Sequence, residues 1–145
     1  MEIRDARRDD WPGIERLVRA AWHDEYATTT EVYFGLERLE EKLEALREEF
    51  DAMGSRFLVA IEGDRPIGAV LARLEPGRVW IDDLFVAPES RRKGVGRELV
   101  RAVSVPDLEV CCEVNRRNEA GLQLYRALGF EVAVETAVLR RPPQA

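Results

Sequence analysis

The sequence predicts an α/β fold built on a mixed sheet. Three observations carry that prediction. Strand-like apolar runs with a hairpin signal occupy the middle of the chain, helical periodicity flanks them, and strands alternate with helices toward the C-terminus. The 145 residues have room for one domain with one core. Residues 1–141 read as that domain and residues 142–145 as a loose tail.

The elements follow in order. Ile3 to Arg7 forms a short first strand. Ile14, Leu17, Val18, Ala21 and Trp22 then take helical spacing, with Asp9, Asp10 and Pro12 suited to a helix start. Ala27–Thr30 is a polar break. Leu36, Leu39, Leu43, Leu46, Phe50 and Met53 alternate steps of three and four, one apolar stripe on a second helix that ends at Gly54-Ser55. Phe57–Glu62 and Pro66–Leu74, joined by Gly63-Asp64, form a hairpin, and Val79–Val86 is a third strong strand. An amphipathic helix carrying Leu99, Val100 and Val103 follows, cut short by Pro106. Leu108–Val114 is a strand, Glu119–Leu128 a helix closed by a left-handed cap at Gly129, and Phe130–Val134 and Ala137–Arg140 are two final strands.

Composition narrows the function. No apolar run approaches the ~20 residues of a membrane span, and Met1-Glu2-Ile3-Arg4-Asp5 is polar from the start, so neither a span nor a signal peptide is expected. The only cysteines, Cys111 and Cys112, are neighbours, which suits a reducing cytoplasm better than a disulfide framework. The net charge of −6 argues against nucleic acid as the main partner. Charge is uneven, however: ten acids against three bases between Asp24 and Asp51, but five bases against two acids between Pro88 and Arg101.

That basic island holds the sharpest local feature, Val86-Ala87-Pro88-Glu89-Ser90-Arg91-Arg92-Lys93-Gly94-Val95-Gly96-Arg97, running from a strand into a helix. Two glycines one residue apart let the backbone bend. The N–H groups of the first helical turn, with the positive end of the helix dipole behind them, make an anion cradle suited to a diphosphate, and Arg91, Arg92, Lys93 and Arg97 are expected to add charge around it. A Walker A loop requires Gly-Lys-Ser/Thr, whereas the order here is Lys93-Gly94-Val95. A dinucleotide fingerprint requires a third glycine where Leu99 stands, although Glu113 falls where a ribose-binding acid would. The pattern Arg/Gln-x-x-Gly-x-Gly/Ala is met in full by Arg91, Gly94 and Gly96.

With these residues the sequence resembles the GNAT superfamily of acyl-CoA-dependent N-acyltransferases. Ile81-Asp82-Asp83-Leu84-Phe85-Val86, leading through Ala87-Pro88-Glu89 to Arg91-Arg92-Lys93-Gly94-Val95-Gly96, is similar to the central motif. So are Glu113-Val114-Asn115-Arg116-Arg117-Asn118-Glu119-Ala120 and Leu124-Tyr125-Arg126-Ala127-Leu128-Gly129-Phe130. The resemblance implies a mostly antiparallel central sheet, helices on both faces and a splayed pair of central strands. It also implies acetyl-CoA as acyl donor, with its diphosphate on the backbone of Arg92, Lys93, Gly94, Val95, Gly96 and Arg97. The pantetheine arm would lie along the backbone of Leu84, Phe85 and Val86 like an added strand. Asn118 and Tyr125, seven apart and so on one helix face about 10.5 Å apart along its axis, would hold the arm and meet the sulfur.

The chemistry implied is direct attack by a primary amine in a ternary complex, without a metal. The amine must lose a proton, the oxyanion needs a donor such as a backbone N–H near Phe85, and the departing thiolate needs a proton. Tyr125 resembles the general acid. Glu113 and Asp82 match positions where different relatives carry the base, and a strand-end carboxylate capping a loop is the plain alternative for each. Asp82 and Asp83, adjacent on a strand, are expected on opposite faces. The acceptor pocket is expected among Trp22 to Tyr33 and Glu135-Thr136. Asp24, Glu25 and Glu31 there favour a cationic amine, and the only histidine, His23, lies nearby. Homodimers are frequent in the family. A domain that binds the coenzyme as a sensor or scaffold, without turnover, is the competing class.

Overall fold

In the computed structural model, which describes residues 1–22, 39–52, 55–137, 139 and 141–144, five strands form one sheet in chain order. They are β1 (Glu2–Asp5), β2 (Arg56–Glu62), β3 (Arg65–Glu75), β4 (Arg78–Val86) and β5 (Glu109–Cys112). β1 to β4 pair antiparallel, and β5 joins parallel to β4. The described helices are α1 (Trp11–Ala21), α2 (Leu39–Ala52), α3 (Val95–Val103) and α4 (Glu119–Ala127). Leu36, Met53 and Gly54, expected at the ends of the second helix, lie outside the described residues, as do Ala27–Thr30.

A parallel neighbour requires a crossover, and α3 supplies it between β4 and β5. The sheet is thereby covered on both faces. On one, Ile14, Leu17 and Val18 of α1 and Leu43 and Leu46 of α2 pack on Val59, Ala69, Leu71 and Phe85. An aromatic chain, Trp11 to Phe50 to Phe57, closes its edge with ring centroids 5.6 and 5.5 Å apart. On the other face Leu99, Val100 and Val103 of α3 pack on Leu58, Val70, Ile81 and Val86. Asp10 does not cap α1 with its side chain; its carboxylate accepts from Arg4 at 2.7 and 2.9 Å and from the Arg7 N–H, fastening β1 to the helix start.

Two expectations are corrected. Asp82 and Asp83 do not separate to opposite faces. Leu71 pairs with Asp83 and Ala72 with Ile81, so Asp82 is an extra residue bulged out of β4. Such a bulge interrupts the alternation. Ile81 enters the α3-side core, Phe85 enters the opposite one, and both aspartates line one cleft on the α2 side. The second correction concerns Phe130–Val134, the first of the two expected final strands. Residues 130–137 carry no regular secondary structure; the other expected strand, Ala137–Arg140, includes Val138 and Arg140, which lie outside the described residues. Phe130, Val132 and Val134 have the period of a strand, but past Phe130, which packs on the core, Val132 is 54% and Val134 78% exposed. A strand takes its stability from a ladder partner and a covered face, and Val132 and Val134 have neither among the described residues.

No helix among the described residues is long and apolar enough to cross a membrane.

Candidate functional site

The site begins where β4 parts from β5. Their ladder runs from Arg78↔Glu109 to Ile81↔Cys112 and stops there, while β4 continues to Val86 along β3. The bulged Asp82 is the next residue after the last shared pair. A wedge therefore opens between β4 and the chain that follows β5, its vertex at Ile81 and Cys112 and its open end toward the glycine loop. Leu84, Phe85 and Val86 form its β4 wall; Phe85 and Val86 are buried and Leu84 is half-buried. This is the splayed central pair expected from the sequence.

At the open end, the Pro88–Ser90 turn leads into Arg91, Arg92, Lys93 and Gly94, and α3 starts at Val95. Gly94 occupies the helix N-cap with φ +80°, a left-handed conformation that glycine adopts without a steric cost. Arg92 is left-handed as well, at φ +64°. The loop thus turns sharply into α3, whose first-turn N–H groups have no partner one turn earlier within the helix and suit an anion. Arg92, Lys93 and Arg97 are exposed around it. Arg91 is turned inward instead, half-buried, its Nη2 donating to the Val86 carbonyl at 3.5 Å. It braces the loop against β4.

Two glycines let α3 sit deep against the sheet. A Cβ on Gly68 of β3 would lie 2.7 Å from Val95 Cγ1 and 2.9 Å from Leu99 Cδ1. A Cβ on Gly96 would lie 3.1 Å from Leu124 Cδ2 of α4. The second motif glycine is therefore a packing residue between two helices rather than a source of bend. Gly68 was not singled out in the sequence; a glycine inside a strand is the signal that marks such a close approach.

On the other wall stands α4. Asn118 is not inside this helix, as its spacing from Tyr125 suggests, but is the N-cap: its ψ is +77° and its Oδ1 accepts from the Gly121 N–H at 2.9 Å. Asn favours this role because its short side chain reaches the unsatisfied first-turn donors. The C-terminal end is closed as its sequence predicts. Phe130 N–H bonds the Tyr125 carbonyl at 2.9 Å, Gly129 N–H bonds the Arg126 carbonyl at 3.0 Å, and Gly129 has φ +91°. This reverse turn brings the Phe130 ring back onto the Tyr125 ring, centroids 5.1 Å apart. Tyr125 is half-buried against the α3-side core with its ring orientation set by Phe130.

The Tyr125 hydroxyl also hydrogen-bonds the Cys112 sulfur at the wedge vertex. Burial pushes the Cys112 thiol up to about 11, the Tyr125 hydrogen bond works in the opposite direction, and Cys111 and Glu113 add to the rise. Cys112 is thus a neutral thiol beside the phenol. Both cysteines are free.

Of the candidate bases, Glu113 is exposed immediately beyond the end of β5. Asp82 is exposed and both its oxygens accept from Arg73 Nε at 3.2 Å. Asp83, not proposed from the sequence, is buried and ion-paired with Lys42 at 2.6 Å. Asp82, Arg73, Asp83 and Lys42, but not Glu113, line a cleft of about 420 Å³ between α2 and the sheet, together with Leu46, Glu49, Ser55 and Leu71. His23, Asp24, Glu25, Glu31 and Tyr33 lie outside the described residues; Glu135 and Thr136 are exposed, with Glu135 ion-paired to Arg116. Among the described residues, no group of three or more His, Cys, Asp or Glu is placed to hold a metal.

Comparisons with known proteins agree with this geometry. Residues 53–132 match the profile of the family described as Acetyltransferase (GNAT) domain. The chain is 31% identical over 97 residues to the peptidyl-lysine N-acetyltransferase YjaB of Escherichia coli (strain K12), a stretch that covers 67% of this chain and 63% of that protein, under two thirds of its length. Among solved structures, the tetramutant of BH1408 protein from Bacillus halodurans superposes with a TM-score of 0.78 at 21% identity, covering 97% of this chain and all of that one. The aminoglycoside N-acetyltransferase AAC(6')-Iy in complex with CoA superposes with a TM-score of 0.71 at 19% identity, covering 97% and 93%. At these identities the two structures establish the fold.

Proposed function

The chain belongs to the GNAT acetyltransferase family, and from that premise we propose that it moves an acetyl group from acetyl-CoA to a primary amine by direct attack in a ternary complex. The observation that carries this reading is the wedge between β4 and β5, which starts beside the bulged Asp82 and opens onto the glycine loop. Such a wedge offers a strand edge for an extended amide-bearing arm and, at one end, backbone donors for a diphosphate. The residues present fit the donor: Gly94, Val95, Gly96 and Arg97 supply N–H groups, Arg92, Lys93 and Arg97 supply charge, and Leu84 to Val86 supply the strand edge.

The roles follow from position. Tyr125 protonates the departing sulfur; its fixed ring and its hydrogen bond to a sulfur already present, that of Cys112, support this assignment. A backbone N–H on β4 beside the bulge stabilises the oxyanion. Glu113 takes the amine proton, directly or through water. It is preferred to Asp82, whose two oxygens are engaged by Arg73. Asn118 holds the start of α4, and so the wall on which Tyr125 stands. For the acceptor, the lysine side chain of a protein or peptide is the first class to test, because the curated relative is named a peptidyl-lysine N-acetyltransferase. A lysine ammonium is also consistent with the acidic stretch between Asp24 and Asp51.

The test is a thermal melt with acetyl-CoA, coenzyme A and NADH in parallel, followed by thiol-release assays over lysine peptides, polyamines and amino sugars. A ligand at a hundred times its dissociation constant stabilises by about 2.7 kcal/mol, several degrees for a domain of this size. Stabilisation by both coenzyme A species, none by NADH, and thiol release dependent on an amine is the expected result. Absence of any coenzyme A shift overturns the proposal.

A further inference from the structure

Two carboxylates on adjacent residues of one strand, both turned into one cleft, repel each other, and the bulge that puts them there interrupts the β3–β4 ladder. Something must hold that arrangement. Asp82 is met by Arg73 of β3, but that pair is exposed to solvent and its hold is weak. Asp83 is different. Its carboxylate is 7% exposed and its partner, Lys42 of α2, 14% exposed, with Nζ to Oδ1 at 2.6 Å. Lys42 sits one residue before the core residue Leu43, so α2 cannot shift its ammonium without disturbing the packing on the sheet. A buried carboxylate that loses a cation is compensated less well where it stands, and the balance shifts toward positions nearer water. That shift moves residue 83 and with it the bulge.

The bulge is also the vertex of the wedge, because Ile81 makes the last pair with β5 and Asp82 follows it directly. From these relations we infer that Lys42 is a positioning residue for acetyl transfer: its ion pair with Asp83 locks the β4 bulge and so sets the backbone beside which the thioester is attacked. Lys42 acts through Asp83 and through the β4 backbone. The inference rests on the acetyltransferase reading for its kinetic consequence and on geometry alone for its conformational one.

The experiment compares the wild type with Lys42→Met, Lys42→Arg and the double variant Lys42→Met/Asp83→Leu. The double variant removes both charges together, which a fold tolerates far better than removing one. The first readout is hydrogen exchange by mass spectrometry over residues 79–86, with β2 as internal control. Faster exchange there by tenfold or more in Lys42→Met, with unchanged β2 protection and with the double variant closer to the wild type, is expected; equal protection in a folded Lys42→Met overturns the inference, whether or not the protein transfers acetyl groups. The second readout is the split between kcat and coenzyme A affinity with a lysine peptide as acceptor. Lys42→Met should lower kcat at least tenfold while the coenzyme A dissociation constant moves less than threefold, and Lys42→Arg should restore most of kcat. Wild-type kcat in a folded Lys42→Met, or parallel loss of kcat and coenzyme A affinity, overturns the inference. Failure of the wild type to bind coenzyme A is a separate result that removes the acetyltransferase reading and leaves the exchange comparison standing.

Discussion

Replacing Gly68 by alanine should lift α3 from the sheet and loosen the coenzyme loop with it. The added methyl would sit 2.7 Å from Val95 Cγ1, 2.9 Å from Leu99 Cδ1 and 3.3 Å from the Phe85 carbonyl oxygen. Favourable carbon contacts lie at about 3.5–4.0 Å, so two of the three are shorter by nearly 1 Å. None can yield easily: Val95 and Leu99 are buried, valine is stiff at χ1, and the third atom is backbone. Overpacking of this kind costs about 1–3 kcal/mol. For a domain of this length each kcal/mol lowers the melting temperature by about 2–4 °C, so a fall of about 2–12 °C is expected. Because Val95 is the first residue of α3, the helix must move at the end that forms the anion cradle. Calorimetric titration should therefore show coenzyme A bound about tenfold more weakly, equivalent to about 1.4 kcal/mol. Gly96→Ala is the control: its nearest contact is 3.1 Å to the tip of a half-buried leucine, which can rotate, and less than about 1 kcal/mol should be lost. A Gly68→Ala protein that melts within about 1 °C of wild type and binds coenzyme A normally would refute the account of how α3 is seated.

Tyr125→Phe keeps the ring contact with Phe130 and removes only the hydroxyl, so thiol-release kinetics should show kcat lower by about 10²–10⁴-fold with coenzyme A affinity unchanged; normal turnover would assign Tyr125 to packing. Asn118→Ala removes the α4 cap and should cost about 1 kcal/mol, read as a fall of a few degrees in the melting temperature. The Cys112 thiol, held protonated up to about 11, should resist iodoacetamide at pH 8 and gain reactivity only as pH approaches that value. Its folded value lies above its ordinary value of 9.0, so its contribution to stability is complete below pH 9 and is lost between 9 and about 11; a Cys112→Ala protein should show a shallower decline over that interval. For Asp10 the sign is reversed. The Arg4 hydrogen bond holds its carboxyl below the ordinary 3.8, so its contribution is present above that pH and lost on acidification, and acid melts of Asp10→Asn should be flatter there.

How much of this could be seen in the sequence depended on whether the determining contacts were local. The hairpin and β4 were legible because their apolar runs are bounded by turn residues. The glycine loop was legible because strand, loop and helix start are contiguous. The Gly129 closure of α4 was legible for the same reason, and with it the turn that seats Phe130 on Tyr125. The bulge was not: Ile81-Asp82-Asp83-Leu84 reads as a regular strand, and only the register against β3 shows Asp82 to be an extra residue. Nor was the Lys42–Asp83 pair, since each residue alone is an ordinary surface charge and only the packing of α2 on the sheet brings them together. The C-terminal segment failed in the opposite direction. Phe130, Val132 and Val134 carry a strand's period, and period alone does not supply a partner.

The two ends of the wedge are consequently held by different physics. The loop end depends on shape: Gly68 and Gly96 admit α3, Gly94 permits the turn, and Arg91 is drawn inward to the Val86 carbonyl. The vertex end depends on charge, with Lys42 and Arg73 holding two adjacent carboxylates in a bulge. Salt separates them. Raising ionic strength screens the exposed Arg73–Asp82 pair strongly and the buried Lys42–Asp83 pair weakly, while the packing of α3 is unaffected by it. Hydrogen exchange at the vertex should therefore change little with salt in the wild type, where the buried pair carries the bulge. If wild-type exchange over residues 79–86 rises steeply with salt, Arg73 rather than Lys42 carries the bulge.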